Sequence, residues 1–257
     1  MSADKTVILI TGANSGIGLE TVKALAATSS NFHILLGSRS TEKGQQALDE
    51  ISASLGESQK GTISVIELDV CNQATIDAAR AKIEQDFGKL DILINNAGVI
   101  IYQQVDAITS LRQTFDANVF GPVLLTDALE GLLRKSAKPY IIHVSSQQGS
   151  ITSRLDPNDL HRDVRGDHYR MSKSALNMLA ACHRYNFAEW GCKVLSFNPG
   201  FCVSNLTGEK GRQMRIDLGA RDPKDPANAL VDVVLGKRDA DIEKNGMVDL
   251  DGGILPW

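Results

Sequence analysis

Short apolar runs alternate with longer amphipathic segments along almost the whole chain, and this alternation limits the fold more than any other feature. The runs are rich in β-branched residues, which is typical of parallel strands covered on both faces. We predict strands at 7–11, 32–37, 63–68, 91–95, 140–145, 193–198 and 247–250. Helices are predicted at 16–27, 42–54, 73–87, around 111–135 and at 169–190. This order predicts the α/β class, with a doubly wound parallel sheet.

The predicted elements fill the chain without a linker, a repeat or a low-complexity tract, so we expect residues 1–257 to form one domain. The least regular stretches are 151–168 and 205–225, which are polar and rich in turn-forming residues. Each follows a predicted strand. Ligands of open parallel sheets bind beyond the carboxyl ends of the strands, so both stretches are expected beside a ligand site.

The composition argues against several classes of function. A formal net charge of -4 gives no broad electrostatic reason to bind nucleic acid or an anionic membrane. The four cysteines match no zinc-ligand spacing, and we expect no metal site. The first apolar run, at 7–10, is too short for a signal peptide or a membrane span, so we expect a cytoplasmic protein.

A glycine-rich loop directly follows the first predicted strand. Thr11 is followed by glycines at 12, 16 and 18, with Asn14, Ser15 and Ile17 between them. Glycines allow a tight turn and close approach of a pyrophosphate, and the helix that follows offers free N–H groups. The spacing is G-x-x-x-G-x-G, and an ordinary turn is the alternative interpretation. Its position between a strand and a helix favours a dinucleotide site.

The end of the second predicted strand distinguishes NAD from NADP. An NAD site usually has an acid there, whereas an NADP site needs a cation for the 2′-phosphate. The sequence has Ser38, Arg39 and Ser40, and no acid before Glu42. Arg39 can pair with phosphate oxygens in a bidentate manner. A solvated surface arginine is the alternative, but the position at the strand end favours NADP(H).

Tyr169 and Lys173 are four residues apart on a predicted helix and therefore share a face. A tyrosine hydroxyl has a pKa of about 10 in isolation, and a nearby ammonium favours the phenolate. Such a tyrosine can donate a proton to a carbonyl oxygen or accept one from an alcohol. The same pair on a helix surface would have no function, so it is weak evidence alone.

Together, these motifs resemble the short-chain dehydrogenase/reductase family. The ordered set is the Thr11–Gly18 loop, Asn95-Asn96-Ala97-Gly98, Asn118, Ser145-Ser146, Tyr169-x-x-x-Lys173 and Asn198-Pro199-Gly200. The resemblance covers essentially the whole chain and is strongest to the carbonyl-reductase branch. It implies a Rossmann fold and a catalytic set of Asn118, Ser146, Tyr169 and Lys173, with Ser145 as the runner-up to Ser146. Asn118 would belong to a water-linked proton relay from Lys173.

The resemblance also implies further cofactor-binding positions. Asp69 and Val70 would contact the adenine, and Asn96, Ala97 and Gly98 would line the ribose. Lys173 would also bond the nicotinamide ribose. The remaining positions would contact the nicotinamide carboxamide: Pro199, Gly200, Val203 and Ser204. The 23 positions from Ser146 to Tyr169 exceed the length in many compact members, which predicts a flap beside the substrate.

The expected activity is NADP(H)-dependent interconversion of a carbonyl and an alcohol. Alternatives are a secondary-alcohol dehydrogenase, an imine or enone reductase, and a catalytically silent dinucleotide-sensing protein. The substrate wall should include Ile100, Ile101, Tyr102, Gln147, Gln148, Phe201, Leu206 and Met214.

The predicted helix 169–190 has two apolar stripes, of which one can face the sheet. The other would form a subunit interface in a dimer or tetramer, or be covered by 151–168 in a monomer.

Overall fold

A computed structural model describes residues 5–101, 105–159, 161–206 and 208–257. The strands within these ranges are β1 Thr6–Ile10, β2 Phe32–Ser38, β3 Thr62–Glu67, β4 Ile92–Asn95, β5 Tyr140–Val144, β6 Lys193–Asn198, β7 Met247–Asp249 and β8 Ile254–Leu255. The α-helices there are α1 Gly16–Thr28, α2 Thr41–Leu55, α3 Gln73–Phe87, α4 Ala107–Phe115, α5 Gly121–Leu133, α6 Ile151–Leu155, α7 Asp167–Asn186, α8 Gly208–Asp217, α9 Lys224–Val234 and α10 Asp239–Ile242.

The strands form one sheet with the order β3-β2-β1-β4-β5-β6-β7-β8. Each neighbouring pair from β3 to β7 is parallel, and β8 runs antiparallel to β7 at the edge. The predicted doubly wound parallel sheet is thereby confirmed. The sequence analysis did not predict β8, because a strand of two residues carries no detectable periodicity.

The core lies on both faces of the sheet, because successive residues of a strand point to opposite sides. In β1, Ile8 and Ile10 belong to one apolar cluster, and Val7 and Leu9 belong to the other. Strand β1 pairs with β2 on one side and with β4 on the other, so the strand order reverses there. The loops after β1 and β4 therefore border the crevice in which such sheets bind their ligands.

The prediction of one helix around 111–135 was wrong in one respect. Helices α4 and α5 are joined by a π-helical turn at Asp116–Phe120, in which the Gly121 N–H donates to the Asp116 carbonyl five residues back. Pro122 follows in the first turn of α5. Because proline has no N–H for the carbonyl four residues back, the wider turn fits the sequence at this point.

Two stretches expected to be irregular contain helices. Residues 151–168 include α6 and the first residues of α7, and residues 205–225 include α8 and the start of α9. Two glycines and few apolar residues in α8 hide its helical periodicity. The predicted helix 169–190 is α7 followed by a 3₁₀ turn at Ala188–Trp190. In the part of the chain that the structure describes, no helix is long and apolar enough to cross a membrane.

Candidate active site

The glycine-rich loop after β1 is tied to the segment after β4 by hydrogen bonds. The Thr11 hydroxyl accepts the N–H groups of Asn96 at 3.0 Å and Ala97 at 2.9 Å. The Asn96 side-chain amide donates to the carbonyls of Thr11 at 2.8 Å and Gly12 at 3.3 Å. These bonds fix the two loops at the switch point of the sheet.

The glycines of this loop are required by close contacts and by backbone angles. A Cβ on Gly18 would lie 2.6 Å from the Asn96 amide nitrogen, and one on Gly12 would lie 3.0 Å from the Ala97 Cα. Gly12 and Gly16 have φ angles of 61° and 58°, which favour glycine. Ser15 begins α1 without a side-chain capping bond, so the first N–H groups of α1 lack the usual side-chain acceptor. This arrangement suits an anionic ligand.

A cavity of about 600 Å³ extends from the glycine loop along the carboxyl edge of the sheet to Tyr169 and Lys173. Most of the cofactor-binding residues predicted from the sequence line it: Gly12, Asn14, Ser15, Gly16, Ile17, Ser38, Arg39, Asp69, Val70, Asn96, Ala97, Gly98, Tyr169, Lys173, Pro199 and Ser204. Gly18 supports the loop from beneath, and Gly200 and Val203 lie beside the lining residues. The dimensions and the donors fit a dinucleotide.

Two cations lie at the edge of this cavity, Arg39 directly after β2 and Lys43 in the first turn of α2. Arg39 is exposed, while Ser38 is buried and its hydroxyl donates to the Ser40 carbonyl at 2.8 Å. Ser40 caps α2 by accepting the Lys43 N–H at 3.3 Å, and Lys43 also lines the cavity. The sequence analysis did not identify Lys43. Its position in the first turn of the helix that starts at the strand end could have revealed it.

The loop after β3, expected to contact the adenine, lines one part of the cavity. The Asp69 carboxylate accepts the Cys71 N–H at 2.9 Å, and the Asp69 backbone N–H donates to the Thr75 hydroxyl at 3.0 Å. Val70 is buried, and a Cβ on Gly121 would lie 2.8 Å from the Val70 Cβ. The π-turn region therefore packs directly against the cavity wall.

At the other end, Ser204 approaches the glycine loop, and a Cβ on Gly16 would lie 3.6 Å from its Cβ. Gly200 has a φ of 68°, and the Val203 N–H donates to the Arg221 carbonyl at 2.9 Å. The Ile100 N–H donates to the Leu206 carbonyl at 3.3 Å, which joins two expected parts of the substrate wall. Tyr102, also expected in that wall, lies outside the described residues.

Tyr169 and Lys173 lie together on the first two turns of α7. Both are buried, and the Lys173 Nζ is 5.7 Å from the centre of the Tyr169 ring. The ammonium donates to the Val144 carbonyl at the end of β5, at 2.8 Å. Burial lowers the pKa of Lys173 to about 8. An ammonium at this distance favours the phenolate form of the tyrosine.

Asn118 is fully buried inside the π-turn and connects the site to two other elements. Its amide nitrogen donates to the Val99 carbonyl and to the Ser172 hydroxyl, both at 3.0 Å, and its oxygen accepts the Val99 N–H at 2.8 Å. A Cβ on Gly98 would lie 3.2 Å from that oxygen and 3.7 Å from the Lys173 Nζ. The Asn118 side chain therefore holds the segment after β4 against α7, beside Lys173.

The two serines after β5 have different environments. The Ser145 hydroxyl is buried and donates to the Asn177 side-chain oxygen at 2.6 Å. The Ser146 oxygen accepts the Gln148 N–H at 3.2 Å, which does not use the hydroxyl proton. Ser145 lines the cavity and Ser146 does not. A proton already donated to Asn177 is unavailable to a substrate, so the hydrogen bonds favour Ser146 over Ser145 as a donor.

Comparison with known proteins identifies the family of this chain. Residues 6–215 match the model of the short chain dehydrogenase family. The short-chain dehydrogenase/reductase eupG of Phoma sp is 33% identical over 91% of this chain and 92% of its own length. The short-chain dehydrogenase/reductase tropE of Talaromyces stipitatus is 29% identical over 99% of both chains. The NADPH-bound carbonyl reductase from chicken fatty liver superposes with a TM-score of 0.79 at 25% identity, covering 98% of this chain and 99% of that one.

The chain therefore belongs to the short-chain dehydrogenase family, as the ordered motifs predicted. Its activity is that of an oxidoreductase acting on a small molecule.

Proposed function

We propose that this protein is an NADP(H)-dependent reductase that interconverts a ketone or aldehyde and the corresponding alcohol, with Tyr169 as the general acid and base. The observation that carries the proposal is the buried pair of Tyr169 and Lys173 at one end of a cavity that begins at the glycine loop. The carbonyl reductase from chicken fatty liver was solved with NADPH bound, which supports the same cofactor here.

When bound, the nicotinamide would supply or accept the hydride. The residues of the chain supply the proton and the orientation. The Tyr169 hydroxyl donates its proton to the carbonyl oxygen, and the Lys173 ammonium stabilises the phenolate that remains. The Ser146 hydroxyl donates a hydrogen bond to the same oxygen and fixes its position. Lys173 then returns a proton to Tyr169, and the Asn118 backbone carbonyl would hold a relay water beside Lys173.

The test is a panel of aldehydes, ketones, imines and enones with NADPH, followed by the loss of NADPH absorbance. We expect turnover with carbonyl compounds. In Tyr169→Phe, turnover should fall by roughly 10²–10⁴-fold, the range for loss of a general acid, while NADPH binding persists. Reduction of imines or enones alone would reject the proposed substrate class. Near-normal turnover in Tyr169→Phe would reject Tyr169 as the acid.

The preference for NADP(H) is proposed to come from Arg39, supported by Lys43. Arg39 borders the cavity directly after β2, where an NAD site would have an acid, and Lys43 borders it from the first turn of α2. Arg39→Asp removes a cation and adds repulsion, so NADPH should bind roughly 10–100-fold more weakly, as expected for a lost charged hydrogen bond, and NADH should bind relatively better. Titration of both cofactors measures this.

The matched control for the cofactor experiment is Lys60→Asp, which makes the same change of charge at an exposed position outside the cavity lining. It should leave both affinities unchanged. Equal affinities of Arg39→Asp and the unaltered protein for NADPH would contradict the role of Arg39.

We also propose that the chain works as a homo-oligomer in a reducing compartment such as the cytoplasm. The stripe of α7 containing Met178 and Tyr185 is exposed, with side chains 65% and 85% accessible. The opposite stripe, with Leu176, Ala180 and Phe187, is buried. Segment 151–168 thus leaves the first stripe uncovered, which favours a subunit interface over the monomeric alternative. The four cysteines are free, which fits a reducing environment.

A further inference from the structure

Residues 151–168 connect the two ends of the catalytic machinery. The segment begins five residues after Ser146 and ends directly before Tyr169. Its described residues, 151–159 and 161–168, contain α6, turns and the first residues of α7. Because it leaves the carboxyl end of β5, it borders the ligand side of the sheet. A shift of this segment would act on the substrate site from both ends.

Arg170 contacts the middle of this segment from within α7. The side chain is buried, with 7% of the residue exposed, and its guanidinium donates to three backbone carbonyls. These are His161 at 2.7 Å, Val164 at 3.1 Å and Gln148 at 3.4 Å. The first two lie in the segment, and the third lies two residues after Ser146. One side chain therefore joins the segment to the turn that carries the proposed catalytic serine.

The chemistry of this contact requires an arginine. A guanidinium has five N–H donors in a rigid plane and can serve several carbonyls that lie apart, whereas an ammonium is a compact point charge. Burial lowers the pKa of Arg170, and Arg154 adds to this effect, while Asp159 and Asp167 oppose it. A buried cation held by carbonyl oxygens is costly to leave unpaired, so the segment is strongly favoured in this position.

The two ends of the segment have anchors of their own. The Thr152 N–H donates to the Trp257 carbonyl at 3.2 Å, and the His168 Nδ1 pairs with the Ser110 hydroxyl on α4 at 2.9 Å. Arg154 donates to the Arg162 carbonyl, a bond that stays inside the segment. Arg170 thus supplies the contact that joins the middle of the segment to the Ser146 turn.

We propose that Arg170 is a positioning residue that holds segment 151–168 against the Ser146 turn and so sets the wall for the part of the substrate remote from the reacting carbonyl. The inference rests on the proposed function, because it concerns the substrate of that site. Arg170 does not line the cavity proposed for the cofactor. Its loss should therefore weaken the binding of large substrates more than it slows the chemical step.

The experiment compares Arg170→Gln, Arg170→Lys and the control Arg112→Gln, which alters an exposed arginine of α4. Trypsin cleavage at the exposed Arg162 and Arg165 reports the position of the segment. In Arg170→Gln, cleavage should accelerate about tenfold, and KM for a bulky aryl ketone should rise about tenfold, as expected for a lost charged hydrogen bond. The kcat, the KM for a small diketone and the NADPH affinity should change little. For Arg170→Lys, the cleavage rate and the KM for the bulky ketone should lie between those of the unaltered protein and Arg170→Gln.

Unchanged cleavage and unchanged KM in an Arg170→Gln protein that binds NADPH normally would overturn the proposal. So would a fall in kcat without a change in KM. If Arg170→Gln fails to bind NADPH, the proposal is tested by the same measurements on Arg170→Lys and by amide hydrogen exchange of the unaltered protein. The N–H groups of Arg162 and Val164 must then exchange slowly, and exchange at the rate of an unfolded chain overturns the proposal. The cleavage and exchange measurements need no substrate, so they separate this inference from a failure of the proposed function.

Discussion

Lys173 is the residue whose environment most affects the expected pH dependence. Its ammonium is buried between α7 and the end of β5, and this burial lowers its pKa to about 8. The charged form is thus complete at lower pH and is lost as the pH rises through that value. Without the charge, the Tyr169 phenolate is no longer stabilised after it has donated its proton.

We therefore predict that kcat/KM for carbonyl reduction is level at neutral pH and falls above pH about 8. The limiting slope is about tenfold per pH unit if one group is responsible. A pH profile with NADPH measures this. The guanidinium of Lys173→Arg stays charged throughout, so the alkaline limb should disappear in that variant, even if its overall rate is lower. An alkaline limb that remains in Lys173→Arg would assign it to another group.

At the scale of elements, the π-turn between α4 and α5 connects the sequence to the proposed proton relay. Pro122 has no N–H to donate to the carbonyl of Asn118, four residues back. A buried carbonyl without a partner is costly, which favours a water at that position. A π-turn inside a helix is rare and is frequently found at functional sites. We propose that Pro122 helps to form the relay site by keeping the Asn118 carbonyl available.

Pro122→Ala tests this idea because alanine restores the N–H. The new donor should compete for the Asn118 carbonyl and thereby slow turnover. It should also raise the free energy of unfolding by about 1 kcal/mol, a typical net value for one hydrogen bond. Denaturant unfolding and the solvent isotope effect on kcat are the measurements. Pro226→Ala is the matched control, because Pro226 lies in the first turn of α9, where an N–H has no intrahelical partner. A stabilised variant with unchanged turnover would remove Pro122 from the relay.

The elements with strong periodicity were predicted from the sequence within one or two residues. Helix α3 matches the predicted 73–87, and β6 matches 193–198, because their apolar residues are the ones that become buried. The π-turn was missed because the apolar spacing of 111–135 continues through it. Helix α8 was missed because its sequence, with two glycines, has little apolar periodicity. Lys43 could have been found, because the predicted helix 42–54 already placed it in a first turn beside the end of β2.

At the scale of the whole molecule, the structure has a buried polar row that the apolar strand patterns did not predict. Asn95, His143 and Ser196 are neighbours on β4, β5 and β6, and His183 of α7 lies against His143 with ring centres 5.5 Å apart. Burial, with smaller effects of His183 and Lys173, lowers the pKa of His143 to about 3, so its ring is neutral at neutral pH. Strand pairing alone brings these residues together, and a single sequence does not reveal that pairing.

The exposed face of α7 is apolar, which bears on the assembly of the protein. Met171, Ala175, Met178, Cys182 and Tyr185 follow one another at alternating spacings of four and three, so they form one stripe along the helix. Met171 and Met178 are 52% and 65% exposed. Phe120, 51% exposed, lies in the π-turn, which packs against α7. Exposed apolar residues therefore lie on both of these packed elements.

We predict that two copies of the chain associate through this stripe about a twofold axis, because such an axis lets one self-complementary patch cover itself. A stable interface of standard size buries about 800 Å² on each partner. Met178→Glu and Tyr185→Glu each place a charge in the patch that the interface would bury. Both should shift the protein toward monomer in size-exclusion chromatography with light scattering. Met214→Glu alters an equally apolar residue of α8, 47% exposed, and should leave the mass unchanged. Because burial of α7 would also hold the helix that carries Tyr169 and Lys173, the monomeric variants should unfold at lower denaturant concentration while Met214→Glu does not. A monomeric unaltered protein, or an equal response of all three variants, would contradict an interface on α7.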